Sequence, residues 1–307
     1  LKSNQMIGGQ AVMEGVMMRN RSNMVVACRD PEGTIKTKRQ KLSPLAVKYP
    51  FLGFFFVRGI ITFFESLIVG IRALNISTEQ LLESEGEEMT PFFTFLSVFL
   101  GLAMAILLFF LFPTYLIKFL PELFPPIQDY HILLNLLEGI LRVGIFISYI
   151  LVISRWNEIK GFFAYHGAEH KAINCYEAGE ALEIENAGKY STQHTRCGTS
   201  YLLIVMIVSI LIFSFFGWPT LGQRFLIRLV LLPVIAGLAY EAIRWTAQSN
   251  RKWVKFISYP GLWLQKLTTR EPDQKQLEVA LVSLKAILNE EELPEQVKDG
   301  DIYARKA

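Results

Sequence analysis

Cysteine and histidine are scarce in this sequence, with three and four residues respectively in a chain of 307. So few cysteines exclude a disulfide framework, and Cys28, Cys175 and Cys197 are expected as thiols or metal ligands in a reducing compartment. The N-terminal region lacks a basic segment running into an apolar one and a small-residue cleavage site, so no cleavable signal peptide is expected. Internal repeats and low-complexity tracts are also missing, which sets aside solenoids and composition-driven disorder.

Apolar residues, by contrast, are plentiful. They make up 51% of the chain and include 23 phenylalanines, too many for an ordinary soluble domain. Four stretches are long enough to cross a bilayer: Phe92–Phe112, Ile132–Ser154, Tyr201–Trp218 and Phe225–Ala242. The second carries Glu138 and Arg142 at i,i+4, an ion pair expected to face other helices, in either a structural or a transport role. A fifth stretch, Tyr49–Ala73, has Arg58 and Glu65 in its middle and three loosening glycines. It could span, dip in as a re-entrant helix or lie in the interface. The fold class is therefore an α-helical integral membrane protein with about four transmembrane helices, a re-entrant or interfacial helix and a small cytoplasmic α+β domain.

Charge orients the chain. Arg19, Arg21, Arg29, Lys36, Lys38, Arg39, Lys41 and Lys48 crowd the first fifty residues, and Arg244, Arg251, Lys252 and Lys255 follow the last span. The connections Pro113–His131 and Pro219–Arg224 carry one basic residue each. The positive-inside rule then places both termini in the cytoplasm. An even number of spans follows, so Tyr49–Ala73 is expected not to cross, and residues 155–199 fall on the cytoplasmic side. The expected division is a β-rich segment at 1–48, the re-entrant or interfacial helix at 49–75, an acidic linker at 76–90, membrane pairs at 91–154 and 200–245, and a helical tail at 246–307.

The cytoplasmic parts have readable patterns. Ala11–Met18, Met24–Cys28 and Thr34–Lys41 read as strands, the last two joined by the turn Asp30-Pro31-Glu32-Gly33. Such a sheet is too small to stand alone and needs the 155–199 loop as a partner. That loop opens with a helix at Gly161–Glu177, and the alternation Ala181–Glu185 suggests a further strand. Glu79–Glu88 reads as a solvated acidic linker. Glu271-Pro272-Asp273 before Leu277, Leu281, Leu284 and Leu288 reads as a cap and an amphipathic helix, docked on the sheet or on the membrane surface.

Three of the four histidines and two of the three cysteines fall in one window of the 155–199 loop. His166-Gly-Ala-Glu169-His170 is followed by Cys175, Glu177, His194 and Cys197. Imidazole and thiolate are the ligands that zinc and related divalent metals prefer, and i,i+4 spacing puts both rings on one helical face. The spacing H-x-x-E-H is also the inverted zinc-peptidase signature, whose Glu takes a proton from the activated water. In a catalytic arrangement His166 and His170 bind the metal, His194 or Cys197 supplies the third ligand, and Glu169 is the base. In a structural arrangement His170, Cys175, His194 and Cys197 close a four-coordinate staple. Without metal, the histidines would hydrogen-bond within a helix-to-loop junction and the cysteines would simply be buried. Glu14 could reach the site as ligand or support, or pair with Arg19 or Arg196.

Three runs resemble the YqhQ-like bacterial membrane proteins. They are Gly8-Gly9-Gln10-Ala11-Val12-Met13-Glu14-Gly15-Val16-Met17-Met18-Arg19, Tyr165-His166-Gly167-Ala168-Glu169-His170-Lys171, and His194-Thr195-Arg196-Cys197-Gly198-Thr199-Ser200. Thr268-Thr269-Arg270-Glu271-Pro272 also fits. The resemblance implies residence in the bacterial inner membrane, in a family of unknown function whose members are described as candidate metal-dependent enzymes. Two function classes remain: a metal-dependent hydrolase, or a metal-stapled scaffold that binds another membrane complex, such as one for membrane-protein insertion or quality control. A transporter would need more polar groups in the spans than are present. Nucleic-acid binding is not needed to explain the basic N-terminal strands, since orientation and anionic lipid headgroups already do so.

Overall fold

A computed structural model describes residues 6–86, 90–217, 219–248, 252–288 and 302–306. The first strands form an antiparallel meander of β1 (Gly8–Val12), β2 (Gly15–Arg19), β3 (Asn23–Arg29) and β4 (Thr34–Lys41), and β5 (Ile302–Lys306) pairs with the free edge of β4. The expected single strand Ala11–Met18 is instead a hairpin. Val12 pairs with Gly15, and Glu14 turns the chain with φ of 45°. Apolar residues on both faces hid that reversal, because both faces of this sheet are buried. Ala11, Val16, Met18, Val25, Ala27 and Ile35 point one way, and Val12, Met17, Met24, Val26 and Cys28 the other, as the twofold side-chain period of a strand requires. The Asp30–Gly33 turn forms as read, with Gly33 at φ 87° and its N–H donating to the Asp30 carbonyl at 2.9 Å.

Helices cover both faces. On the first lie α7 (Asn157–Glu177), which contains the expected Gly161–Glu177, and α12 (Gln274–Leu288), whose Leu277, Leu281 and Leu284 are buried in the shared core. Of the two docking sites expected for this amphipathic helix, the sheet is therefore the one it uses. Its start is a reciprocal cap: Gln276 N–H donates to Asp273 Oδ1 at 2.8 Å, and Asp273 N–H donates to Gln276 Oε1 at 3.1 Å, two orphan donors satisfied at once. On the second face lies α2 (Val57–Glu85), through Val69, Ala73 and Ile76.

Two expectations fail in this layer. Ala181–Glu185 is not a strand but leads into the short α8 (Ile184–Ala187). The Ala181 carbonyl is consumed locally by Glu183 N–H and the Asn186 amide, and Ala187 N–H closes a helical turn on Glu183. Glu79–Glu88 is not simply a linker either. Helix α2 runs on to Glu85 because Ile76, Ser77 and Gln80 remain buried under the sheet, and residues 87–89 lie outside the described ones.

The apolar stretches become α3 (Pro91–Ile106), a π-turn at Leu107–Leu111, α4 (Phe112–Lys118), α5 (Leu120–Leu123), α6 (His131–Ile153), α9 (Gly198–Ser214) and α10 (Leu221–Gln248). Four helical segments are long and apolar enough to cross a membrane: Val57–Glu83, Phe92–Leu123, His131–Ile153 and Leu221–Thr246. They are compatible with a multi-pass membrane protein. This set differs from the one read in the sequence. Tyr201–Trp218 yields only the 17-residue α9, which unwinds at Phe215 and Phe216, while Trp218 lies outside the described residues.

Tyr49–Ala73 becomes α1 (Leu45–Lys48), a 3-10 turn at Pro50–Gly53 and the first part of the continuous α2. The N-terminal third of α2 meets α10, through the Arg58–Glu241 ion pair at 2.6 Å, and meets α9, with the Phe63 and Tyr201 rings 6.0 Å apart. Beyond Ser66 the helix leaves the bundle and continues beneath the sheet. Lastly, α11 (Lys252–Thr268) packs on α9 and brings the Thr268–Pro272 segment back to α7.

Candidate metal centre

Helix α7 presents His166, Glu169 and His170 from one side, as spacings of three and four residues require. Its histidines are set by backbone carbonyls on two different segments. His166 Nδ1 lies 2.8 Å from the Thr268 carbonyl oxygen at the end of α11, and His170 Nδ1 lies 2.6 Å from that of Thr192. A carbonyl oxygen can only accept, so Nδ1 carries the proton in both rings and each Nε2 keeps its lone pair. Burial pushes the His170 pKa down, against a smaller opposing effect from Cys197, and so favours the neutral ring.

Cys197 completes the cluster as the N-terminal cap of α9, its Sγ accepting from Thr199 N–H at 3.3 Å and lying 3.2 Å from His166 Nε2. The ligand atoms of His166, His170 and Cys197 all lie within 4.8 Å of one another. The three donors come from α7 and the mouth of α9, so they join the sheet-bearing half of the protein to the helical bundle.

Glu169 sits beside this cluster without belonging to it. Its side chain is 5% exposed, and burial raises its pKa above the usual carboxylate range, opposed by His166 and His194. Among the described residues it makes no side-chain hydrogen bond or ion pair. The wall it leans on is Gly9. A Cβ there would fall 2.9 Å from Glu169 Cγ and 2.7 Å from the Met17 carbonyl oxygen, so only glycine leaves the carboxyl its place. Gln10, the next residue, donates to the Gly70 carbonyl of α2 at 3.1 Å. Gly167 has a similar role, since a Cβ on it would overlap the Arg270 carbonyl oxygen. Arg270 also donates from its backbone to the Phe163 carbonyl at 2.9 Å and from its guanidinium to the Ser154 carbonyl at 2.7 Å. The Thr268–Pro272 segment thus clamps α7.

Other residues from the sequence window go elsewhere. His194 is not part of the cluster. Its Nε2 faces Glu177 Oε2 at 3.3 Å and its Nδ1 accepts from Arg196 N–H, so both ring nitrogens are engaged. Glu177 also pairs with Arg196, and these partners hold its pKa below the usual range despite the raising effect of burial. Cys175 points into the core between α7 and α12, its Sγ 3.6 Å from the Ala181 carbonyl oxygen, so the four-coordinate set His170, Cys175, His194 and Cys197 is not assembled. Glu14 is exposed and faces the first turns of α7 near Gly161, and Arg19 donates to Ser66 Oγ at 3.0 Å, so neither reaches the cluster.

Sequence reasoning missed Thr192, Thr268 and Gln265. The first two act through backbone carbonyls, which carry no side-chain signature. Gln265 is fully buried and anchors the loop before Cys197: its Oε1 accepts from His194 N–H at 2.9 Å, and its Nε2 donates to the His194 carbonyl and Ser200 Oγ, both at 2.8 Å.

These features can be set beside known proteins. Residues 54–290 match the family model described as a protein of unknown function, DUF1385. The chain belongs to this family. It is also similar to the uncharacterized protein YqhQ of Bacillus subtilis, with 36% identity over 94% of each chain. No solved structure matches. The family model begins after the sheet, so the contact between Gly9 and Glu169 joins a segment inside the matched region to one outside it.

Proposed function

We propose that this DUF1385 protein is a multi-pass protein of the bacterial inner membrane that holds one divalent metal, zinc being the best match to the donors, and uses it for hydrolysis. The observation that carries this reading is the pair of Nδ1-to-carbonyl hydrogen bonds, which aim two Nε2 lone pairs at the same space as a cysteine sulfur. Metal-ligating histidines are commonly oriented in this way by carbonyl or carboxylate acceptors. Two imidazoles and one sulfur suit zinc, and three protein ligands leave a position open, the pattern of catalytic rather than structural sites. When bound, the ion would supply a Lewis acid and make a water more acidic.

The remaining chemistry belongs to the chain. Glu169 is buried, raised in pKa by that burial and, among the described residues, without a hydrogen-bond or ion-pair partner, which suits it to accept and return a proton. Gly9 fixes where that carboxyl stands, and the Thr192 and Thr268 carbonyls fix the two rings. The basic first fifty residues support cytoplasmic termini, and with them a cytoplasmic metal centre. The meeting of α2 with the C-terminal end of α10, followed by its run beneath the sheet, supports an interfacial placement for that helix.

A second reading rests on burial. His170, Glu169 and Cys197 are only 1%, 5% and 7% exposed, and the donors bridge α7 to α9. A metal here would pin the sheet-bearing domain to the bundle as a scaffold for another membrane complex.

Elemental mass spectrometry of protein purified in detergent without chelator tests the metal. The expected result is about one ion per chain, falling to background in His166→Ala/His170→Ala; background metal in the wild type would sink both readings. The Glu169→Gln variant separates them. Hydrolysis requires that it keep its metal and fold while losing on the order of a hundredfold or more in turnover of substrates found by screening the wild type. A scaffold requires that no such substrate emerge and that chelation release the two domains from each other, seen as new protease cleavage between α7 and α9.

A further inference from the structure

A second buried polar cluster lies at the other end of the bundle, about 24 Å along α9 from its Cys197 cap by helical rise. Glu138 of α6 is its centre. Oε1 accepts from Thr114 Oγ1 at 2.8 Å and from the Arg142 guanidinium at 2.8 Å, and pairs with Arg228 of α10 at 2.5 Å; Oε2 pairs with Arg224. Arg142 also donates to the Phe109 carbonyl in the π-turn at 2.9 Å, and Arg228 lies over the Phe110 and Phe213 rings. Among the described residues Glu138 is the one carboxylate paired with these arginines. Among the described residues three guanidinium groups thus meet one carboxylate, an excess of positive charge, and all four side chains are 11% exposed or less. Burying unbalanced charge between apolar helices is costly, and such residues mark a functional site by default.

The excess has somewhere to be neutralised. Arg224, Arg228 and Thr114 form the polar part of a cleft of 510 Å³. Its other walls are apolar, among them Leu107, Leu108, Tyr115 and Phe225. Several of these are open to the outside of the bundle, with Leu107 and Tyr115 each 54% exposed and Phe225 42%. Where it is open the cleft is almost wholly apolar, with Arg224 and Arg228 buried at its base behind greasy walls that face the surface α3 and α10 present to a bilayer. Guanidinium groups donate in a planar fork that matches phosphate oxygens.

We propose that this cleft binds the phosphate of an anionic phospholipid, seated on Arg224 and Arg228, with its acyl chains along the leucine and phenylalanine walls. A free phosphate would match the arginines but would leave those walls without a partner.

Native mass spectrometry of the full chain tests this with three probes: phosphatidylglycerol, phosphatidylcholine and inorganic phosphate. The expected result is one phosphatidylglycerol held at least about tenfold more tightly than phosphatidylcholine, a gap of about 1.4 kcal/mol, and not displaced by inorganic phosphate. Arg224→Gln and Leu108→Trp should each remove the preference, the first by taking a charge and the second by filling the cleft with all charges kept. Leu108→Trp keeps the test sound if Arg224→Gln folds poorly. Equal retention of the two lipids by the wild type, or an undiminished preference in Leu108→Trp, would overturn the proposal. Inorganic phosphate that binds alone and displaces the lipid would overturn the lipid assignment in favour of a free anion.

Discussion

The two polar clusters at opposite ends of the bundle are complementary in what they lack. At the His166 end, two imidazole Nε2 atoms and a cysteine sulfur converge, and no cationic side chain among the described residues joins them. At the Glu138 end, three guanidinium groups surround a single carboxylate, so positive charge is in surplus. One end gathers donors that suit a cation, and the other gathers cations around a single carboxylate among the described residues. Buried polar groups that exist only to hold a fold are normally satisfied within the chain. Where they fall short in opposite directions, the shortfall identifies the ligand chemistry more sharply than the residue types do.

The comparison can be broken at the arginine end first, where the largest effect is expected. Glu138→Gln keeps the side chain's shape but takes from three buried guanidinium groups the one carboxylate paired with them among the described residues. It should cost about 3–5 kcal/mol, read as a sharp fall in the thermal midpoint of detergent-solubilised protein. A fall of less than about 1 kcal/mol would mean that the arginines are already neutralised by something other than Glu138. At the histidine end, chelation of purified protein should lower stability by about 2.7 kcal/mol, read as a fall in the midpoint, if the ion is normally held at a hundredfold excess over its Kd. The same treatment should leave the midpoint of His166→Ala/His170→Ala unmoved.

Smaller changes sharpen the boundary of the metal centre. Gly9→Ala pushes a methyl into both Glu169 and the Met17 carbonyl and should cost about 1–3 kcal/mol by overpacking, whereas Gly8→Ala, whose nearest neighbour is the Arg19 Nε at 4.0 Å, should stay within about 0.5 kcal/mol. Thermal melts of the two variants side by side check this, and equal losses would mean that Glu169 is not held by Gly9. The smallest effect belongs to His194→Gln. It removes the contact of a buried imidazole with the partly exposed Glu177 carboxylate, worth about 1 kcal/mol as a hydrogen bond, and should leave the metal content unchanged. Loss of metal in that variant would return His194 to the ligand set.

The degree to which all this was legible in the sequence depended on scale. Strands β3 and β4, helices α6, α7 and α12, and the choice between His194 and Cys197 as a third donor rest on patterns within a few residues, and these could be read or at least narrowed. The β1–β2 reversal could not, because a sheet buried on both faces erases the alternation that marks a strand's register. The extent of α2 was hidden for a different reason: Ile76, Ser77 and Gln80 look like the start of a polar linker until the sheet covers them. The arginine cluster was half visible. Glu138 and Arg142 share a helix and announce themselves, but Arg224 and Arg228 arrive from a helix about ninety residues later, and their spacing carries no sign of that meeting.

The π-turn at Leu107–Leu111 has a consequence for how such chains can change length. A π-turn holds one residue more than the α-helix around it, so α3 and α4 are a single helix with an insertion absorbed mid-course. Removing one residue from this segment would restore regular winding. It would also swing everything beyond it by about 100° around the axis, carrying Thr114 away from Glu138 and the Phe109 carbonyl away from Arg142. Deletions here should thus be rarer among related chains than deletions in the nearby connection at residues 124–130.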